Sequence, residues 1–211
     1  MQSHDIDVSF KARYFYKSAE GTCKHKICLL HGYGQLAETF VHEFEGLAKE
    51  FIDLVLPEGL SRFYIRRGRG EVGASWMTKE ARHVDIENAM NYLSQVYQKA
   101  QLSANDYLLG FSQGAEMASR MFLKHDFKVL VLWGGKLADE CFESSNLEIL
   151  KNKKIYFVQG NSDHIFSNEN AEQLERKCRE SGLVLKVIKF EGGHEVKKEV
   201  VTELFDLIKK G

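Results

Sequence analysis

YLLGFSQGAEMASRMF, residues 107–122, is the stretch from which the rest of the chain can be read. It opens on the apolar run Tyr107-Leu108-Leu109, passes through Gly110-Phe111-Ser112-Gln113-Gly114, and continues into the helical segment 115–122. The middle five residues match G-x-S-x-G. At ordinary glycine and serine frequencies the bare pattern arises by chance in roughly one chain of this length in fifteen, so the flanks decide its meaning. A strand before it and a helix behind it form the strand–turn–helix context in which a nucleophilic serine is held. Such a turn forces the serine into a strained backbone conformation, and glycines two residues either side remove the collisions a side chain would cause. The serine Oγ then projects from the sheet at a helix N-terminus, where free N–H groups and the dipole favour developing negative charge.

A serine hydroxyl is a weak nucleophile until a base takes its proton, and the base needs a carboxylate to hold its tautomer. Candidates follow in the chain order Ser, Asp, His: Asp163 after the run KIYFVQGNS, and His194 in EGGHEV after the last strand-like run. Both positions follow strands, so all three side chains are expected at one edge of a parallel sheet. Helix capping is the competing role for Asp163. His4, His25, His42, His83 and His125 lie in the tail or in polar stretches and are read as solvated, while His164 lies too early in its loop to reach the serine. The tetrahedral oxyanion needs two donors, normally the N–H after the nucleophile and one from the loop after an early strand. LLHGYG, residues 29–34, supplies that loop, which assigns the donors to Gln113 and Tyr33 and leaves His31 to brace it. Gly32 and Gly34 alone do not make a dinucleotide loop, since the third glycine of G-x-G-x-x-G is missing.

Around these residues, apolar runs at 27–30, 52–56, 107–109, 129–133, 155–158 and 184–190 alternate with helical spacing, as expected of a largely parallel sheet covered by helices on both faces. Ile86, Ala89, Leu93, Val96 and Ala100 form one helical stripe; Val196, Val200, Leu204, Leu207 and Ile208 form the last. Ile6, Val8, Phe10, Ala12, Tyr14 and Tyr16 alternate with mainly polar residues, which indicates an antiparallel edge strand. Residues 58–75 carry Arg62, Arg66, Arg67, Arg69 and four glycines and are expected as a long surface loop, either solvated or receiving an anionic group. Phe63, Trp76, Met77 and Trp133 are the candidates for an apolar wall along the acyl group, with ordinary packing near strand ends as the competing and commoner role.

With 211 residues, 44% of them hydrophobic, the chain suits one domain over 1–211. A net charge of −1 gives no general attraction to nucleic acid or to an acidic membrane. No run of about eighteen apolar residues is present, and the first residues lack the apolar core of a secretory signal, so a cytoplasmic protein is expected. Cys23, Cys28, Cys141 and Cys178 lack C-x-x-C spacing and read as reduced packing residues. There is no HExxH pattern, and the chemistry calls for neither a metal nor an organic cofactor. Monomer and homodimer are equally compatible with the composition.

Three stretches, LLHGYG, GFSQGAEMA and the paired QGNSDH and GGHEV, agree in order and spacing with a known family. The chain resembles the small carboxylesterase and phospholipase family of α/β-hydrolases, which includes acyl-protein thioesterases and lysophospholipases. The resemblance runs over nearly the whole chain. It implies an α/β-hydrolase fold, with Ser112 as nucleophile, Asp163 as acid, His194 as base, and Tyr33 and Gln113 as oxyanion donors; a chain so close to minimal for that fold leaves no insertion long enough for a large cap domain. The triad mechanism calls for a small acyl ester or thioester substrate and no cofactor, and an open site without a cap is expected to favour short or medium acyl chains. The family commonly has Asp where this chain has Gln35, and Pro where it has Ser167 and Asn168. Residues 62–80, RFYIRRGRGEVGASWMTKE, are more similar to bacterial members known only as predicted esterases than to the eukaryotic thioesterases.

Overall fold

The computed structural model describes residues 2, 4–66 and 70–210. Among these the chain forms β1 (Tyr14–Lys17), β2 (His25–Leu30), the one-turn helices α1 (Ala37–Phe40) and α2 (Glu45–Ala48), and β3 (Ile52–Pro57). Then come β4 (Ser61–Tyr64), β5 (Val72–Ser75), α3 (Arg82–Lys99), β6 (Tyr107–Phe111), α4 (Gln113–Lys124) and β7 (Val129–Trp133). The remaining elements are α5 (Ser144–Leu150), β8 (Lys154–Gly160), α6 (Asn168–Glu180), β9 (Leu185–Phe190) and α7 (Lys198–Lys210), with short 3-10 turns at Val41–Glu43 and Asp139–Phe142.

The central sheet has the order β1-β3-β2-β6-β7-β8-β9, parallel throughout except for β1 against β3. Its middle strands β6 and β7 are buried at every position because helices cover both faces, which is why they read as continuous apolar runs. One face packs Leu93, Met117, Met121, Phe122 and Leu174 from α3, α4 and α6. The other packs Phe40, Phe44, Leu47, Leu204 and Phe205 around α1, α2 and α7. The strand order reverses between β2 and β6, and the crevice outside the carboxyl ends at such a point is where open α/β sheets place their sites. The architecture is that of an α/β-hydrolase, with no large cap among the described residues.

Three expectations need correction. The edge strand is only Tyr14–Lys17, and Ile6, Val8 and Phe10 are strongly exposed. Tyr14 pairs with Pro57, the last residue of β3, so residues further back have no strand left to join. Residues 58–75 hold a β-hairpin, with Ser61 opposite Ser75 and Tyr64 opposite Val72; Arg67 and Arg69, expected in that loop, lie outside the described residues. In α7, Leu207 faces solvent while Val201 and Phe205 enter the core. All four cysteines are free; burial pushes the Cys141 thiol up to about 11 and Cys178 to about 12, away from the reactive thiolate. None of the described helices is long and apolar enough to cross a membrane.

Candidate active site

Ser112 lies between β6 and α4 with φ 53° and ψ −117°, a region non-glycine residues rarely occupy. The turn is tight enough that a Cβ on Gly110 would lie 2.2 Å from the carbonyl oxygen of Gly114, and one on Gly114 would lie 2.2 Å from that of Leu30. Both glycines are therefore required by backbone contact. The Ser112 N–H donates to the Trp133 carbonyl at 2.8 Å, tying the turn to the end of β7.

Asp163 follows β8, and His194 follows β9. A carboxylate only accepts, so His194 Nδ1–H donates to Asp163 Oδ2 at 2.7 Å, which leaves Nε2 to accept the Ser112 hydroxyl proton at 2.9 Å. The other carboxylate oxygen, Oδ1, accepts from the N–H groups of Ile165 and Phe166, each at 2.8 Å. Capping of α6 falls instead to Ser167, whose Oγ accepts from the Asn170 N–H. The loop that carries His194 is fixed from below: Trp133 Nε1–H donates to the Glu195 carbonyl at 2.8 Å, and the Ser162 N–H to that of Gly192 at 2.9 Å. Gly134 (φ 54°) leaves room for the pair, since a Cβ there would lie 3.2 Å from the imidazole.

The loop after β2 is held by contacts from distant parts of the chain. His31 is fully buried; its Nδ1–H donates to the Gly32 carbonyl at 2.8 Å and its Nε2 accepts the Gly59 N–H at 2.9 Å. Burial lowers the His31 pKa, in keeping with the neutral ring this bonding requires. The Gly32 N–H donates to Gln35 Oε1 at 2.8 Å, so glutamine closes the turn where the resembling family commonly has aspartate. The Gly34 N–H donates to the Ala74 carbonyl and the Ala74 N–H to that of Gln35, which docks the loop on β5. No acceptor for the Tyr33 N–H is present among the described residues, and the Gln113 N–H belongs to the first turn of α4, where helical acceptors are missing.

The sequence-based wall is largely displaced. Trp76, Met77 and Trp133 are each about 1% exposed and act as supports. The Trp76 indole donates to the His31 carbonyl at 2.8 Å, and the Met77 carbonyl accepts from Gln113 Nε2 at 2.7 Å. Phe63 is the accessible one of the four, its ring 5.1 Å from that of exposed Tyr33. Sequence reasoning missed the side chain of Gln113, whose Oε1 also accepts from the Trp76 N–H, and the buried Glu58, which pairs with Arg13 at 2.8 Å and Arg62 at 3.3 Å. Both act across more than thirty residues of sequence in at least one contact, beyond the reach of any local pattern.

A strained serine, an imidazole that can take its proton, and a carboxylate that fixes the imidazole can together perform acyl transfer. No curated protein sequence matches the chain. Among solved structures it is similar to YahD with malic acid (TM-score 0.73, 19% identity, covering 95% of this chain and 99% of that one). It is also similar to acyl-protein thioesterase 2 of Zea mays (TM-score 0.72, 16% identity, 95% and 99%) and to the Bacillus cereus carboxylesterase (TM-score 0.69, 17% identity, 94% and 94%). At these identities the likeness speaks to the fold. The family model described as Serine hydrolase (FSH1) matches residues 21–201, most of the chain, and the protein belongs to that serine hydrolase family.

Proposed function

We propose that this protein is a carboxylesterase or thioesterase that hydrolyses short- to medium-chain acyl esters through Ser112, His194 and Asp163. The observation that carries the reading is the continuous hydrogen-bond chain from Asp163 Oδ2 through both imidazole nitrogens to Ser112 Oγ. Ser112 attacks the acyl carbonyl while His194 Nε2 takes its proton. The oxyanion forms against the N–H groups of Tyr33 and Gln113, and His194 then protonates the leaving alcohol or thiol. Water repeats the sequence on the acyl-enzyme. No cofactor enters these steps. With no large cap, and with Tyr33 61% exposed beside Phe63, the acyl side of the site is shallow, which favours short and medium chains over long ones. A lysophospholipase activity would use the same groups and differ in its preference for long chains. The free thiols suit a reducing, cytoplasmic setting.

The test is hydrolysis of p-nitrophenyl esters of increasing acyl length by wild type and Ser112→Ala. Turnover confined to wild type with an optimum at short or medium chains is expected. Equal turnover by Ser112→Ala, or none at any length, would overturn the reading.

A further inference from the structure

A cleft of about 320 Å³ opens between the loop after β7, the 3-10 turn at Asp139–Phe142 and α6. Its volume is at the lower end of the about 300–1,000 Å³ typical of small-molecule sites. One wall is Lys136 and Leu137, directly after Gly134 and Gly135, the glycines that pack on His194 and on the Ser112 carbonyl. The facing wall is Phe166, whose N–H holds Asp163, together with Leu174 and Lys177 of α6; Phe142 is the third aromatic or aliphatic side. The lining is thus apolar in its body and charged at its rim.

The charges do not cancel. Lys136 and Lys177 share a single carboxylate, Asp139, at 3.3 and 3.5 Å, and Lys177 also lies 3.9 Å over the Phe142 ring. Glu116, 3.9 Å from Lys136, is already paired with Arg82 and Arg120. Two ammonium groups against one carboxylate leave the rim cationic, with an apolar surface beneath it.

The cleft's place in the fold says which part of the substrate it meets. The leaving atom must come within hydrogen-bonding reach of His194 Nε2 to be protonated, and one wall of the cleft continues directly from Gly134, which packs on His194, while Phe166 on the other holds Asp163 through its N–H. The Tyr33 and Phe63 rings pack on each other at the loop after β2 and do not line this cleft. We infer that the cleft binds the leaving group, and that the leaving group is an alcohol or thiol carrying an anionic group on a short apolar spacer. The inference rests on the esterase reading above.

The experiment compares butyrate esters of 4-hydroxyphenylacetate and of neutral 4-hydroxyphenylacetamide, with wild type, Ser112→Ala and the double variant Lys136→Met/Lys177→Met. Methionine keeps the apolar stem and removes the charge. Wild type should favour the anionic ester by about fivefold in kcat/KM, the scale of partly exposed ion pairs, and the preference should fall towards one in the double variant and at raised salt. A preference absent in wild type, or unchanged in the double variant, overturns the inference. So does a lysine-dependent preference for monophenyl succinate over phenyl butyrate, which would put the cleft on the acyl side. If neither ester is cleaved, or both are cleaved equally by Ser112→Ala, the esterase reading has failed, and the cleft is judged by binding of 4-hydroxyphenylacetate itself. Tighter binding than the amide, lost in the double variant, supports an anion site; equal binding overturns it.

Discussion

Replacing Gly114 by alanine tests whether backbone contact at the turn, and not the serine alone, sets reactivity. The new Cβ would lie 2.2 Å from the Leu30 carbonyl oxygen and 2.6 Å from that of His31, where ordinary contact begins at 3.4 Å. Both obstacles are backbone at the end of a fully buried strand segment, so the turn itself must retreat by about 1 Å. A displacement of that size at the reacting centre is worth about 100-fold in rate, because the 2.9 Å contact between Ser112 and His194 cannot survive it. The same crowding costs about 1–3 kcal/mol of stability, or roughly 2–12 °C in Tm for a chain of this size. Gly46→Ala is the matched control: it lies in α2 with nothing within 4 Å of its Cβ, and should leave kcat unchanged and Tm unchanged or slightly raised. The assay is kcat and KM for p-nitrophenyl butyrate at a temperature where both variants are folded, beside thermal denaturation. A Gly114→Ala enzyme within twofold of wild type in kcat, with unaltered Tm, would refute the reasoning.

Asp163→Asn should lower kcat by about 10⁴-fold with little change in KM, since an amide facing Nδ1 presents a donor and favours the wrong imidazole tautomer; steady-state kinetics checks this, and a loss below tenfold would count against the proposed role. His31, its pKa lowered by burial, stays neutral in the folded chain while the unfolded chain takes up a proton below about pH 6.5. The unfolded state then binds more protons, so stability falls with acidification below about pH 6.5, by up to about 1.4 kcal/mol per pH unit. Urea denaturation from pH 7.5 to 5 should show a shallower decline in His31→Gln than in wild type. Arg13→Ala removes the closest partner of a carboxylate whose side chain is 1% exposed and should cost about 1–3 kcal/mol in thermal unfolding; a change under about 0.5 kcal/mol would mean that Arg62 alone satisfies Glu58.

The parallel core was legible because strands covered on both faces leave uninterrupted apolar runs, as in VLVLW at β7. The turn around Ser112 was legible because part of its demand is local: Gly110 is required by contact with Gly114, although Gly114 is itself required by Leu30, far back along the chain. Other features depend on partners far along the chain and leave no local trace. The hairpin β4–β5 was hidden by arginines and glycines, yet Gly73 is inside it because the Gly34 carbonyl would touch any Cβ there, at 2.2 Å. The edge strand stops at Tyr14 because its partner ends at Pro57, which nothing in residues 6–16 records. Aromatic residues near strand ends, Trp76 and Trp133, take the packing role and spend their indole N–H groups on the carbonyls of His31 and Glu195, a choice that bulk and position alone leave open and hydrogen bonding decides.

The most direct test of the central claim is site-mapped labelling by a fluorophosphonate, followed by mass spectrometry of the intact protein and its peptides. A single adduct on Ser112 in wild type, formed far more slowly in His194→Ala, is the expected result. Absence of the adduct from Ser112, or labelling at the same rate without His194, would contradict the account.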